Sequence, residues 1–161
     1  MAKVPIAEVK ATWATALAAL PALSAVNVFP AWPGEAMLYA PDKQATIKAA
    51  IWFGPSRCTY ERHSLRAGRQ RRIVTCTFNV CIEVLAAGQS NEAGAQALAA
   101  ESYAYDLWQP IDEHVADDLH LSSPSLVNFA VVDGEAVDAG FTDTGYGFRL
   151  FMPINVNFRL L

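Results

Sequence analysis

Six side chains of the kinds that bind metal ions fall within residues 112–120. They are Asp112, Glu113, His114, Asp117, Asp118 and His120. If this stretch is helical, residues four apart share a face, which pairs Glu113 with Asp117 and His114 with Asp118. The helical zinc motif, however, needs two histidines four residues apart, and these two are six apart. A solvated acidic helix face is therefore the favoured interpretation, and we predict no metal or other cofactor.

The tripeptide Asp143-Thr144-Gly145 is the second feature that could do chemistry. Aspartic proteases of the retroviral type use it to bring one carboxylate from each of two chains together. The same residue types also form ordinary turns between strands, and that interpretation is favoured. We expect no catalytic residues and no enzymatic activity. A small-ligand-binding or hydrolytic domain that uses Asp143, or the end of the helix with His114 and His120, is the alternative from another functional class.

Charge is distributed unevenly along the chain. Residues 73–148 contain no Lys or Arg but twelve of the sixteen acidic residues, whereas residues 57–72 contain six of the twelve basic ones. One explanation is that the fold brings both groups together within a subunit, where they neutralise each other. The other is that the basic segment of one subunit contacts the acidic surface of the next, which generates a ring or a filament.

Composition indicates one domain over residues 1–161. The chain is 53% hydrophobic and only 17% charged, which is consistent with a surface partly covered by partners. A net charge of −4 argues against general or specific nucleic-acid binding. We predict neither a membrane span nor a signal peptide, because charged residues interrupt the apolar N-terminal stretch.

Three cysteines are present, at positions 58, 76 and 81. Cys76 and Cys81 are five residues apart in a predicted strand, so they point to opposite faces and cannot pair with each other. We predict that all three are reduced, as is usual for a cytosolic protein.

Helical periodicity predicts an amphipathic helix over residues 5–23 that lies on a sheet. A second helix is predicted from Glu92, capped by Ser90 or Asn91, with a kink or a new helix at Pro110 and an end near Leu119.

Alternating apolar and polar residues predict two long strands, over residues 73–85 and 146–161, that pair in one sheet. Shorter strands are predicted over 26–32, 47–53, 126–132 and 136–141, with Asp133-Gly134 as a hairpin turn between the last two. Residues 55–72 are predicted to be an extended basic loop or a hairpin tip. This order predicts an α+β fold, with a mainly antiparallel sheet and two main helices packed on one face.

The order of elements resembles that of the tail terminator, or tail completion, proteins of long-tailed bacteriophages. The resemblance covers an N-terminal amphipathic helix, two strands, a basic loop, a long strand over residues 71–84 (RRIVTCTFNVCIEV), a helix rich in Glu and Ala, and closing strands. Residues 30–46 and 54–72 make this chain longer than is usual in the family. Head-tail connector and minor tail proteins have a similar design.

The resemblance implies a structural virion protein, located in the tail or neck and assembled in the host cytoplasm. Such a protein forms a homo-oligomeric ring, typically of six subunits, that caps the tail tube and joins it to the head connector. A neck or connector role in the same virion is the alternative. Combined with the charge pattern, the resemblance predicts a subunit contact between two sets of residues: Arg62, Arg66, Arg69, Arg71 and Arg72 on one subunit, and Asp112, Glu113, Asp117 and Asp118 on the next.

Overall fold

The computed structural model describes residues 3–39, 47–62, 72–88 and 92–158. Their helices are α1 (Ile6–Ala18), α2 (Glu35–Leu38) and α3 (Ala93–Asp117), with a 3-10 turn at Pro21–Leu23. The strands are β1 (Asn27–Phe29), β2 (Ile47–Phe53), β3 (Arg57–Arg62), β4 (Arg72–Ala87), β5 (Val127–Val132), β6 (Ala136–Thr142) and β7 (Gly145–Phe158). Among these helices, none is long and apolar enough to cross a membrane.

The seven strands form one sheet in which β4 and β7 are the central pair. The order is β1-β2-β4-β7-β5, with β3 also paired to β4 and β6 also paired to β7. β4 and β7 are antiparallel over fourteen residue pairs, from Val74 opposite Phe158 to Ala87 opposite Gly145. Only β1 and β2 are parallel among the described strands. The predicted pairing of the two long strands and the α+β fold are confirmed.

The two long helices pack on the same face of this sheet, as predicted. Trp13 of α1 is fully buried and stacks on Phe53, with ring centroids 5.1 Å apart, and meets Phe78 edge-on. Its indole Nε1 donates a hydrogen bond to Nδ1 of His114 in α3, over 3.2 Å. α3 buries six apolar residues toward the same core: Ala100, Ala104, Leu107, Trp108, Ile111 and Val115.

Both predicted helices differ in length from the structure. α1 ends at Ala18, and Pro21 begins the separate 3-10 turn because a proline cannot donate the next helical hydrogen bond. The prediction of a second helix at Pro110 is wrong, because α3 continues through Pro110 as one helix of 25 residues. Burial of Trp108 and Ile111 on either side of Pro110 compensates for the hydrogen bond that this proline removes.

The predicted hairpin at Asp133-Gly134 is also wrong. β5 and β6 do not pair with each other; both pair with β7, end to end along the same edge. Between them the Asp133 amide still donates to the Pro153 carbonyl, over 2.8 Å. Gly134, with φ +93°, lets the chain bulge and rejoin β7 instead of reversing direction.

The cysteines contradict the prediction of three reduced thiols. A disulfide joins Cys58 on β3 to Cys76 on β4, whereas Cys81 is free and buried. The two half-cystines are directly opposite in the ladder, with Cα atoms 4.0 Å apart. This pairing could not be foreseen, because residues 55–72 were not predicted to contain a strand. The disulfide closes the hairpin whose turn contains the arginine-rich segment.

Loss of this disulfide is expected to destabilise the fold by about 3 kcal/mol, because a cross-link across 18 residues restricts the unfolded chain. Chemical denaturation of the wild type, with and without reductant, measures the effect. The double variant Cys58→Ala/Cys76→Ala is the control, since reductant should leave its midpoint unchanged. A wild type whose midpoint does not respond to reductant would show that the disulfide contributes nothing.

Candidate functional site

A cavity among the described residues lies on the face of the sheet that α1 and α3 do not cover. Its volume is about 520 Å³. The wall includes the ends of β4, β6 and β7 that are farthest from the β3–β4 hairpin turn, together with residues of the segment around α2. A cavity of this size falls within the usual range for binding sites.

A buried ion pair lies in the cavity wall. Glu83 on β4 is directly opposite Arg149 on β7, and the Arg149 Nε contacts the Glu83 Oε1 atom. The second oxygen, Oε2, accepts a hydrogen bond from Trp52 Nε1 over 3.2 Å. The Glu83 side chain is 5% exposed and that of Arg149 is 49% exposed. The negative charge of Glu83 is therefore balanced by Arg149, while the rest of the Arg149 guanidinium faces solvent.

The segment before α2 covers the neighbouring surface of the sheet. Trp32 packs edge-on against Trp52, with ring centroids 4.9 Å apart, and Leu38 is buried. Burial and the negative charge of Glu83 raise the pKa of Tyr39 to about 12, although Arg149 opposes the shift. The same causes raise the pKa of the Cys81 thiol to about 12. Both groups therefore stay neutral at physiological pH.

The open side of the cavity carries two further carboxylates and one exposed aromatic ring. Asp138 on β6 is directly opposite Arg149, and Glu35 begins α2. Both are exposed, and within the described part of the chain neither forms an ion pair. The aromatic ring is that of Trp32, which is 44% exposed, whereas the ring of Phe141 packs against Tyr146 on the other face of the sheet. With one arginine and three carboxylates, the cavity lining has a formal charge of −2.

The four acidic residues predicted for the subunit contact lie at the C-terminal end of α3. Asp112, Glu113 and Asp117 are exposed, and none of them forms an ion pair with a described Lys or Arg. The Asp118 carboxylate instead accepts hydrogen bonds from the turn that follows α3. Its Oδ2 accepts a 2.6 Å hydrogen bond from the Ser122 amide, and Oδ1 accepts one from the His120 amide. Burial alone would raise the pKa of Asp118, but these hydrogen bonds lower it overall.

Of the basic residues predicted for the same contact, the structure describes Arg62 and Arg72. Arg62 and Arg72 are opposite each other at the ends of β3 and β4 that lead into the hairpin turn. Arg66, Arg69 and Arg71 lie outside the described residues. Both ends of the arginine-rich segment are therefore attached at one end of the β4–β7 pair.

Asp143-Thr144-Gly145 lies at the hairpin between β6 and β7. The Thr142 hydroxyl donates to the Gly145 carbonyl over 3.1 Å. Gly145 has φ +149°, and a Cβ atom there would overlap the Ala86 carbonyl oxygen. The tripeptide has a conformational reason to be present, since only glycine fits at its third position. Asp143 is exposed on the turn.

Among the described residues, no group of three or more His, Cys, Asp or Glu side chains is arranged to hold a metal ion. The cavity residues Glu83, Arg149 and Tyr39, and Trp52, which donates to Glu83, were not identified from the sequence. Glu83 and Arg149 are residues of opposite charge on the polar faces of the two long strands. Aligning the strands in register would have placed them opposite each other.

In comparisons with known proteins, no family model matches the chain and no curated protein sequence matches it significantly. Function therefore has to be inferred from the geometry of the molecule.

Arg149→Met should destabilise the fold by about 3 kcal/mol, because it leaves the Glu83 carboxylate buried without its counter-charge. In the double variant Glu83→Gln/Arg149→Met no buried charge remains, and the new amide oxygen at position 83 can still accept from Trp52, so much of the stability should return. Denaturation of the four members of this cycle at one chain concentration measures the coupling. Additive losses would show that the two charges do not interact.

Stability should fall as pH rises from about 9 toward 12 because of Cys81 and Tyr39. Their ordinary pKa values are 9.0 and 10.0, and the folded values are about 12, so the unfolded chain releases protons that the folded chain retains. Lys10 opposes this trend, since burial lowers its pKa from 10.5. Cys81→Ala should flatten the decline in a series of denaturation curves, and an unchanged slope would contradict the assignment.

Proposed function

We propose that the chain is a structural, ring-forming protein of the tail terminator type, which caps the tail tube of a long-tailed bacteriophage and joins it to the head connector. The order of elements that suggested this family is supported by the α+β fold and by the central long strand pair. The family assignment and the six-subunit ring rest on that resemblance.

The observation that carries the proposal is the distance between opposite charges. The arginine-rich hairpin leaves the sheet at Arg72, and the acidic cavity lies around Glu83 of the same strand. Eleven residues of extended strand separate them by about 36 Å. The nine residues of the hairpin turn, 63–71, are anchored at both ends, so they reach back at most about 16 Å. On chain length alone, the arginine-rich segment of one subunit falls short of the cavity of the same subunit, which supports a contact between subunits.

The two sides of the sheet differ from each other, which suits a contact between one side of one subunit and the other side of the next. Within the described part of the chain, β3 pairs only with β4, while β5 and β6 pair only with β7. β5 and β6 expose four large apolar side chains: Phe129, Val131, Val137 and Phe141. The same edge and its turns carry the exposed acids Asp133, Glu135, Asp138 and Asp143. Open edges with apolar side chains are normally covered by a partner.

A head-to-tail contact between the basic and acidic sides is heterologous, and repetition closes it into a ring if the rotation between subunits permits. The function is then geometric, without chemistry of its own. One side of the ring binds the last layer of tube protein, and the other accepts the head connector. A connector role in the same virion differs in which of these partners the ring binds, so pull-down with tube protein and with portal protein separates the two roles.

The wild-type chain is expected to have a solution mass several times that of the 17.5 kDa subunit. Arg69→Glu/Arg71→Glu should leave the subunit folded but shift the assembly to smaller species, because it reverses two charges of the contact. Size-exclusion chromatography with light scattering measures the mass, and circular dichroism checks the fold.

The matched comparison is between Arg71→Glu and Lys3→Glu, each of which changes the net charge by the same amount. Lys3 is exposed just before α1 and belongs to neither the arginine-rich segment nor the cavity lining, so its reversal should leave the mass unchanged. A ring that persists in the double arginine variant at high salt would contradict the electrostatic contact.

The cavity itself favours a second candidate function, the binding of a small ligand. Its volume of about 520 Å³ and its mixed aromatic and charged lining are typical of such sites. A wild-type chain that is monomeric, and that gains thermal stability with a small cationic compound, would favour this function over assembly.

A further inference from the structure

The cavity lining keeps a net negative charge after Arg149 is counted. Arg149 is neutralised by Glu83, which leaves Asp138 and Glu35 without an ion-pair partner among the described residues. The ring of Trp32, which is 44% exposed, lies at the same cavity. Carboxylates beside aromatic faces are the groups that bind a guanidinium, through charge-assisted hydrogen bonds and cation–π contact.

Arginine fits this lining better than lysine does. Its planar guanidinium can stack on a ring while it donates several hydrogen bonds to a carboxylate, and it is more weakly hydrated than an ammonium group. The chain itself contains the ligand at high local density, since residues 62–72 include five arginines: Arg62, Arg66, Arg69, Arg71 and Arg72.

We infer that the cavity binds an arginine side chain from residues 62–72 of a second copy of this chain. The hairpin of the same copy falls short of its own cavity, because about 16 Å of reach is set against a separation of about 36 Å. The inference rests on the proposed head-to-tail assembly and assigns particular residues to its contact. It moves the acidic partner from Asp112, Glu113 and Asp117 on α3 to Glu35 and Asp138 at the cavity.

The test uses a synthetic peptide of residues 62–72 as the probe. The receptor is the full chain carrying Arg66→Gln/Arg69→Gln/Arg71→Gln, so that its own hairpins do not compete for the cavity. Isothermal titration calorimetry is expected to show one peptide bound per chain. Adding Glu35→Gln/Asp138→Asn to the receptor should weaken binding about tenfold or more, because both positions are exposed and lose only charge.

The matched control receptor carries Asp112→Asn/Asp117→Asn, which removes the same charge from α3. It should bind the peptide within about twofold of the unmodified receptor. A peptide in which every arginine is replaced by glutamine should not bind.

Four results would overturn the inference: no binding of the peptide, equal binding by the cavity variant, an equal loss in the α3 variant, or binding of argininamide as tight as that of the peptide. The last would identify a small-cation site. The proposed function fails separately. A wild-type monomer whose cavity still binds the peptide would refute the ring, whereas a ring that forms without any effect of Glu35 or Asp138 on the peptide would refute only this contact.

Discussion

The antiparallel pairing of β4 with β7 is the interaction on which the rest of the structure depends. Along fourteen residue pairs, one side of both strands supplies the apolar core beneath α1 and α3. The other side places Glu83 opposite Arg149 and so defines the wall of the cavity. Every other strand except β1 is added to an edge of this pair, with β2 and β3 along β4 and with β5 and β6 along β7. A slip of one residue would exchange the two faces and bury the polar side chains under the helices.

The length of the β4–β7 pair also determines how far the basic segment lies from the acidic cavity. A short sheet would allow the basic hairpin to fold against the acidic cavity, and the charges would then only stabilise the monomer. Here residues 62 and 72 lie at one end and the cavity lies at the other, so in the proposed assembly each surface contacts the opposite one of a neighbouring subunit. The disulfide between Cys58 and Cys76 holds the base of the hairpin to the sheet. The cavity and the adjacent β6 edge are acidic because residues 73–148 contain no basic residue.

The parts of the fold that were predictable are those set by local periodicity. Alternation identified β4 and β7, and the spacing of Val9, Trp13 and Leu17 identified the buried face of α1. Features that depend on pairing between distant segments were missed. Asp133-Gly134 has the composition of a hairpin turn, but the free edge of β7 is long enough to pair with β5 and β6 in succession. Predicting the disulfide required knowledge of β3, whose sequence has no clear alternation. Predicting the cavity required the position of the segment around α2, which packs over Trp52. Pro110 is tolerated because tertiary packing outweighs helix propensity.

The central claim is a head-to-tail contact between unlike charged surfaces, and a charge-swap mixing experiment tests it most directly. One variant reverses the net charge of residues 62–72, with Arg66→Glu/Arg69→Glu/Arg71→Glu, and the other reverses the cavity, with Glu35→Lys/Asp138→Lys. Each alone presents like charges at every contact, whereas in an equimolar mixture each hairpin finds a cavity of opposite sign in the other variant. Light scattering should show small species for each variant alone and the wild-type mass for the mixture. A mixture that stays as small as its components, or a single variant that assembles alone, would contradict the account.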